Sequence, residues 1–167
     1  SAMADSYRFR QIVEPASILS DRYEIDHAVL RTLDQDHEEA ISNVLHMDRR
    51  RLFDLDARFH KTVAQGARTN ELVQSIERQN NIRRVTEYLG FVRIERLRKS
   101  MVEHRQILAA LLEGNRQVAA SLMHIHLHVS REETFTHMDS DLELVRGGMV
   151  RLTEEEHDDV AGERDMQ

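Results

Sequence analysis

Asp56, His60, His104 and His126 each fall on the apolar stripe of a predicted helix, where leucine would be the ordinary choice. Asp56 and His60 lie one helical turn apart in LFDLDARFHKTV, so both side chains project over one patch. His104 shares a face with Met101, Ile107, Leu108 and Leu111, and His126 shares one with Ala119, Leu122, Met123 and Val129. Burying one unpaired polar group costs roughly 1–3 kcal/mol, and an unpaired charge costs more. One carboxylate and three imidazoles from three helices therefore point to a single shared site. Neutral imidazole nitrogen with one carboxylate oxygen suits a divalent transition metal, zinc first, with nickel, manganese or iron as alternatives. Four protein donors leave such an ion an open position for water or a ligand carboxylate. A lone histidine on an apolar face is more often a hydrogen-bonded core residue, and an Asp-x-x-x-His pair can be a plain helix contact. The reading rests on all four occurring together.

The remaining histidines read differently. His124 and His128 pair at i and i+4 on the opposite side of their helix from His126 and are expected at the surface. His27, His37, His46, His137 and His157 have polar neighbours and no evident partner, so most are expected in solvent.

The elements that must position the four residues are helical. The chain has 167 residues, enough for one domain with a real core, and it carries one proline and six glycines. Ala, Leu, Glu, Arg and Gln recur throughout. The expected fold class is all-α, an antiparallel bundle of six to seven helices joined by short connections. Helices are expected over about 7–22, 25–46, 48–65, a stretch opening at 70, 94–113 and 116–138. The first should present Phe9, Ile12, Val13, Ala16 and Leu19 inward, and kink or restart at Pro15. The second should present Ala28, Val29, Leu33, Ala40, Ile41, Val44 and Leu45. Asn70 and Asn115 are candidate N-caps, and Gly66 and Gly114 are helix stops. Residues 1–6 read as a cloning or linker remnant, 7–138 as the helical domain, and 139–167 as an acidic, mostly flexible tail.

Charge and composition remove several function classes. The chain has no cysteine, so disulfides are excluded and a cytoplasmic location is expected. No apolar run approaches the ~20 residues needed to span a bilayer, so no membrane role is expected. A net charge of −7 argues against this segment gripping a nucleic-acid backbone, which needs a basic face. The one basic run, Arg49-Arg50-Arg51, reads as a solvated helix start.

Three stretches, in order, resemble a known family. YRFRQIVEPASILS is similar to an Arg-x-x-x-Glu opening helix, here Arg10 and Glu14. DARFHKTVAQGARTNEL is similar to an Asp-x-x-Phe-His stretch followed by an asparagine, here Asn70. EHRQILAALLEGNRQVAASLMHIHL is similar to a His-x-x-Ile-Leu, Ala-rich, Gly-Asp and Ala-x-x-x-Met-x-x-His pattern, with Asn115 in place of the commoner Asp. Over about residues 8–127 the chain resembles the FCD domain, the C-terminal effector-binding module of FadR-subfamily GntR transcription regulators. The resemblance implies that Asp56, His60, His104 and His126 hold a divalent metal. It also implies that Arg10 faces the effector pocket, where a guanidinium suits a carboxylate, and that Asn70 stands near it. Arg10 equally suits a salt bridge with Glu14. Further implications are a small organic acid as effector, a homodimer, and DNA contact only through a winged helix-turn-helix domain outside this chain.

The expected function is therefore a metal-assisted ligand sensor, not an enzyme. A metallohydrolase or oxygenase would need a general base beside the ion. Glu103, next to His104, is expected to face about 100° away from it. A metal-free helical interaction module is the third reading.

Overall fold

Short polar caps divide the chain into helices. Asp26 Oδ1 accepts the Ala28 N–H at 2.7 Å, Asp48 Oδ1 accepts the Arg50 N–H at 2.8 Å, and Asn115 Oδ1 accepts the Val118 N–H at 3.2 Å. Gly114 adopts a left-handed φ of 74°, which lets the chain reverse between two helices at no steric cost. The computed structural model describes residues 2–88 and 93–137, except for the side chains of 85–88. Over these it is helical without strands. The helices are α1 (Ala2–Ile18), α2 (His27–Asn43), α3 (Arg49–Gln65), α4 (Asn70–Tyr88), α5 (Ile94–Leu112) and α6 (residues 116–137).

Cross-helix pairs give the packing directions. Asp56 pairs with Arg83 and Lys61 with Glu77, so α3 and α4 run antiparallel. Arg96 reaches Glu133 while His104 meets His126, so α5 and α6 are antiparallel too. Tyr7 bonds Thr134 at 3.3 Å, and Arg116 donates to the Ser20 carbonyl at 2.7 Å beyond the C-terminal end of α1, which sets α6 antiparallel to α1. Helix α3 packs against α1, α2, α4 and α5 and is the most enclosed. It buries Leu52, Phe53, Leu55, Phe59 and Val63 together with Asp56 and His60. The core continues through Leu30, Leu33, Met101, Ile107, Leu108, Met123 and Leu127.

Several local expectations need correction. Helix α1 begins at Ala2, five residues before the expected start, and buries Ser6 and Tyr7. The helix passes through Pro15 and ends three residues later. Its inward face is Ser6, Tyr7, Arg10, Glu14, Ser17 and Ile18, whereas Ile12 is 72% exposed and Leu19 40%. In α2 the buried row is Leu30, Leu33, His37 and Ala40, with Val29 outward, and Leu45, beyond the end of α2, is exposed as well. Asn70 is the first residue of α4 and is exposed; the Thr69 carbonyl accepts the first helical bond from Val73 N–H. The expected acidic tail lies outside the described residues.

One connection is held by a close approach. Glu24 N–H donates to the Gly66 carbonyl at 2.9 Å, and the Tyr23 hydroxyl donates to the Val63 carbonyl at 3.1 Å. A Cβ at residue 66 would come within 2.5 Å of Cε2 and Cζ of the Tyr23 ring. Gly66→Ala is therefore expected to destabilise the protein by about 1–3 kcal/mol, read from the midpoint of urea unfolding. An unchanged midpoint would show that the ring moves aside freely.

Candidate metal centre

Three imidazoles converge in the core. The Nε2 atoms of His104 and His126 are 3.2 Å apart, and one nitrogen from each of His60, His104 and His126 lies within 4.8 Å of the others. All three side chains are buried. Helix α3 supplies His60, α5 supplies His104 and α6 supplies His126, so the site exists only when three helices have packed. Asp56, one turn before His60, places Oδ1 3.7 Å from His104 Nε2 and Oδ2 3.9 Å from His60 Nε2. Oδ2 also pairs with Arg83 at 2.8 Å, which leaves Oδ1 turned toward the imidazoles. Donor atoms bound at ~2.1 Å to one ion lie about 3.0–3.4 Å apart. The separations here fit that spacing for the imidazole pair and approach it for the carboxylate.

The opposite ring nitrogens fix the tautomers. His60 Nδ1–H donates to Glu14 Oε2 at 2.6 Å, and Glu14 Oε1 accepts from Arg10 Nε at 2.6 Å. His126 Nδ1–H donates to Glu103 Oε2 at 2.6 Å, and the same carboxylate takes a bond from Arg96. His104 Nδ1 lies 3.0 Å from His37 Nε2, while His37 Nδ1–H donates to the Leu33 carbonyl at 2.6 Å. A carbonyl only accepts, so the proton on His37 Nδ1 is forced, its Nε2 carries the lone pair, and His104 must donate from Nδ1. Phe59 stacks on the His104 ring at 3.8 Å with planes 11° apart, which fixes that ring's orientation.

Electrostatics agrees with these assignments. Burial pushes the His60 pKa down to about 4 and holds His37 below and His104 well below the usual range, so all three are neutral near pH 7. Burial alone would raise Glu14 and Asp56. The charge of Arg10, with the hydrogen bonds from His60 and Arg10, brings Glu14 down to about 2, and Arg83 foremost holds Asp56 below the usual carboxylate range.

The result is a set of lone pairs with nothing to receive them. Nε2 of His60 is buried and has no hydrogen-bond partner among the described residues. His104 Nε2 also presents a lone pair, so its 3.2 Å contact with His126 Nε2 requires a shared proton or a cation. A metal satisfies all three at once, and the three imidazoles with one available carboxylate oxygen fit a divalent transition ion.

Of the residues singled out in the sequence, the structure brings His60, His104 and His126 together, with Asp56 beside them. Arg10 is 1% exposed, bonded to Glu14 through Nε, and its Nη2 has no partner among the described residues. Asn70 is exposed in the first turn of α4. His124 and His128 are exposed, as expected. His37 is the main correction among the histidines: it is fully buried, not solvated. It completes the i, i+3, i+4 row Leu30, Leu33, His37, Ala40, a signal present in the sequence. Glu103 accepts from His126 Nδ1–H on the neighbouring helix, a partnership the sequence reading did not name.

A comparison with known protein families matches the FCD domain over residues 5–129. No curated protein matches the chain. The match covers all six helices except the first three residues of α1 and the last turns of α6, and every residue of the cluster falls inside it, so the chain belongs to the FCD domain family.

Proposed function

We propose that this chain is the ligand-sensing domain of a FadR-subfamily GntR transcription regulator, holding a divalent transition metal, zinc first, through His60, His104, His126 and Asp56. The observation that carries this reading is the meeting of three buried Nε2 atoms, each with its opposite nitrogen committed to a partner. A bound ion supplies an open position to a carboxylate oxygen of a small organic acid. The buried charges already balance without it: Arg10 with Glu14, Arg83 with Asp56 and Arg96 with Glu103. A divalent ion therefore adds two positive charges to a closed interior, and an anionic effector offsets them. Arg10 Nη2 is the donor available to a second carboxylate. A homodimer in the cytoplasm, acting on DNA through a winged helix-turn-helix domain elsewhere in the protein, completes the proposal.

A hydrolytic centre would need a free base facing the ion. Glu14 and Glu103 are instead committed to the Nδ1 atoms of ligand histidines and to arginines. That commitment favours binding over turnover.

The test is metal content by mass spectrometry on protein purified without a nickel column, beside His104→Ala. One equivalent in the wild type and none in the variant is expected. Short dicarboxylates should then raise the melting temperature of loaded but not of stripped protein. No metal in either protein after reconstitution would overturn the reading.

A further inference from the structure

We propose that His37 is a positioning residue for the metal centre, fixing His104 in the tautomer whose Nε2 faces His60 and His126. The inference rests on the metal reading above and assigns a role to a residue on α2, a helix that supplies no proposed ligand. Three observations support it. His37 is fully buried at a point in the row Leu30, Leu33, His37, Ala40 where leucine would pack without a polar cost. Its Nδ1 is consumed by the Leu33 carbonyl of its own helix at 2.6 Å, which commits Nε2 to act as an acceptor. The atom it accepts from is His104 Nδ1 at 3.0 Å, on the far side of the ring from the cluster.

The other two histidines gain the same control from carboxylates, Glu14 behind His60 and Glu103 behind His126. A carboxylate behind a ligand imidazole raises its basicity, whereas a neutral imidazole orients it with little added charge. A third carboxylate would leave another buried anion with no arginine to match it, since Arg10, Arg83 and Arg96 are already paired. His37 therefore supplies orientation without charge. Without an acceptor behind it, His104 could protonate Nε2 and turn a donor hydrogen toward the ion's place.

The experiment compares wild type, His37→Leu and His37→Gln. Glutamine carries an amide oxygen within reach of the position of His37 Nε2, whereas leucine fills the space without an acceptor. Affinity for cobalt(II) and zinc is read by competition with a chromophoric chelator. Nitrogen-15 imidazole spectra of the metal-free proteins read the His104 tautomer directly. His37→Leu is expected to lose affinity by roughly 10- to 100-fold, with a metal-free melting temperature no lower than wild type. Its His104 should show a mixture of tautomers, and His37→Gln should keep affinity within about threefold of wild type. Unchanged affinity in His37→Leu, or equal loss in both variants, overturns the role of His37 and leaves the metal site standing. A wild type that binds neither ion removes both proposals together, and a single His104 tautomer in all three proteins removes this one even if the leucine variant folds poorly.

Discussion

Protein stripped with a chelator is expected to melt on the order of 10 °C below the same protein carrying one equivalent of zinc. The size follows from mass action. An ion present at ~1,000 times its dissociation constant and bound only to the folded form adds about 4 kcal/mol. In a chain of this size each kcal/mol moves the melting temperature by roughly 2–4 °C. The structure gives reason to expect the full effect. The stripped core keeps an unpartnered His60 Nε2 and sets the His104 and His126 Nε2 atoms 3.2 Å apart, so the metal-free state carries a cost that the ion removes. Three helices donate to one point, so the ion also ties α3, α5 and α6 together. In His126→Ala the difference between stripped and zinc-loaded protein should largely vanish. Equal melting of stripped and loaded wild type would mean that the cluster is a polar core packed for its own sake.

The same geometry explains which parts of the molecule were legible in the sequence. Asp56 and His60 stood out because they fall on the apolar stripe of an amphipathic helix whose other polar residues, such as Arg50, Asp54 and Arg58, lie on the exposed face, and a polar pair on such a stripe has few alternatives to a shared site. His104 and His126 stood out for the same reason on α5 and α6. Helix α1 misled because its inward face carries Arg10 and Glu14, and these serve His60, not the core. A periodicity rule that seeks apolar residues therefore chose Ile12 and Leu19, which lie outward. His37 was overlooked because Asp36, Glu38 and Glu39 surround it in sequence, and local polarity hid the helical row to which it belongs. The partner of Glu103 was missed because helical angle relates residues of one helix and does not say which side chain of a neighbouring helix, here His126 on α6, each will meet. Local sequence rules failed chiefly where residues support the cluster.

Acidification should unfold the stripped protein well before its surface carboxylates titrate. Burial holds the folded-state pKa of His60 at about 4, against 6.5 for an exposed imidazole, and lowers His37 and His104 in the same direction. Between those values the unfolded chain takes up protons that the folded chain refuses, so stability falls as pH falls from about 6.5. One pKa unit corresponds to about 1.4 kcal/mol, so His60 alone accounts for a loss on the order of 3 kcal/mol by pH 4. Glu14 has the same sign over a lower window. Its folded pKa of about 2, against 4.5, gives stability that is complete above 4.5 and is lost as pH drops toward 2. Asp56 and Glu103, both held below the usual carboxylate range, add to that second decline. Domains of this kind hold only about 5–15 kcal/mol in total, so the histidine window by itself should consume a large share. Urea midpoints of chelator-treated protein at pH 7.5, 6.5, 5.5 and 4.5 measure it, with His60→Gln expected to flatten the upper part of the curve. Bound metal should make the dependence steeper, because protons then compete for its ligands as well. A stripped protein equally stable at pH 7.5 and 5 would show that these imidazoles are not held neutral by burial, and the tautomers assigned to the centre would fall with it.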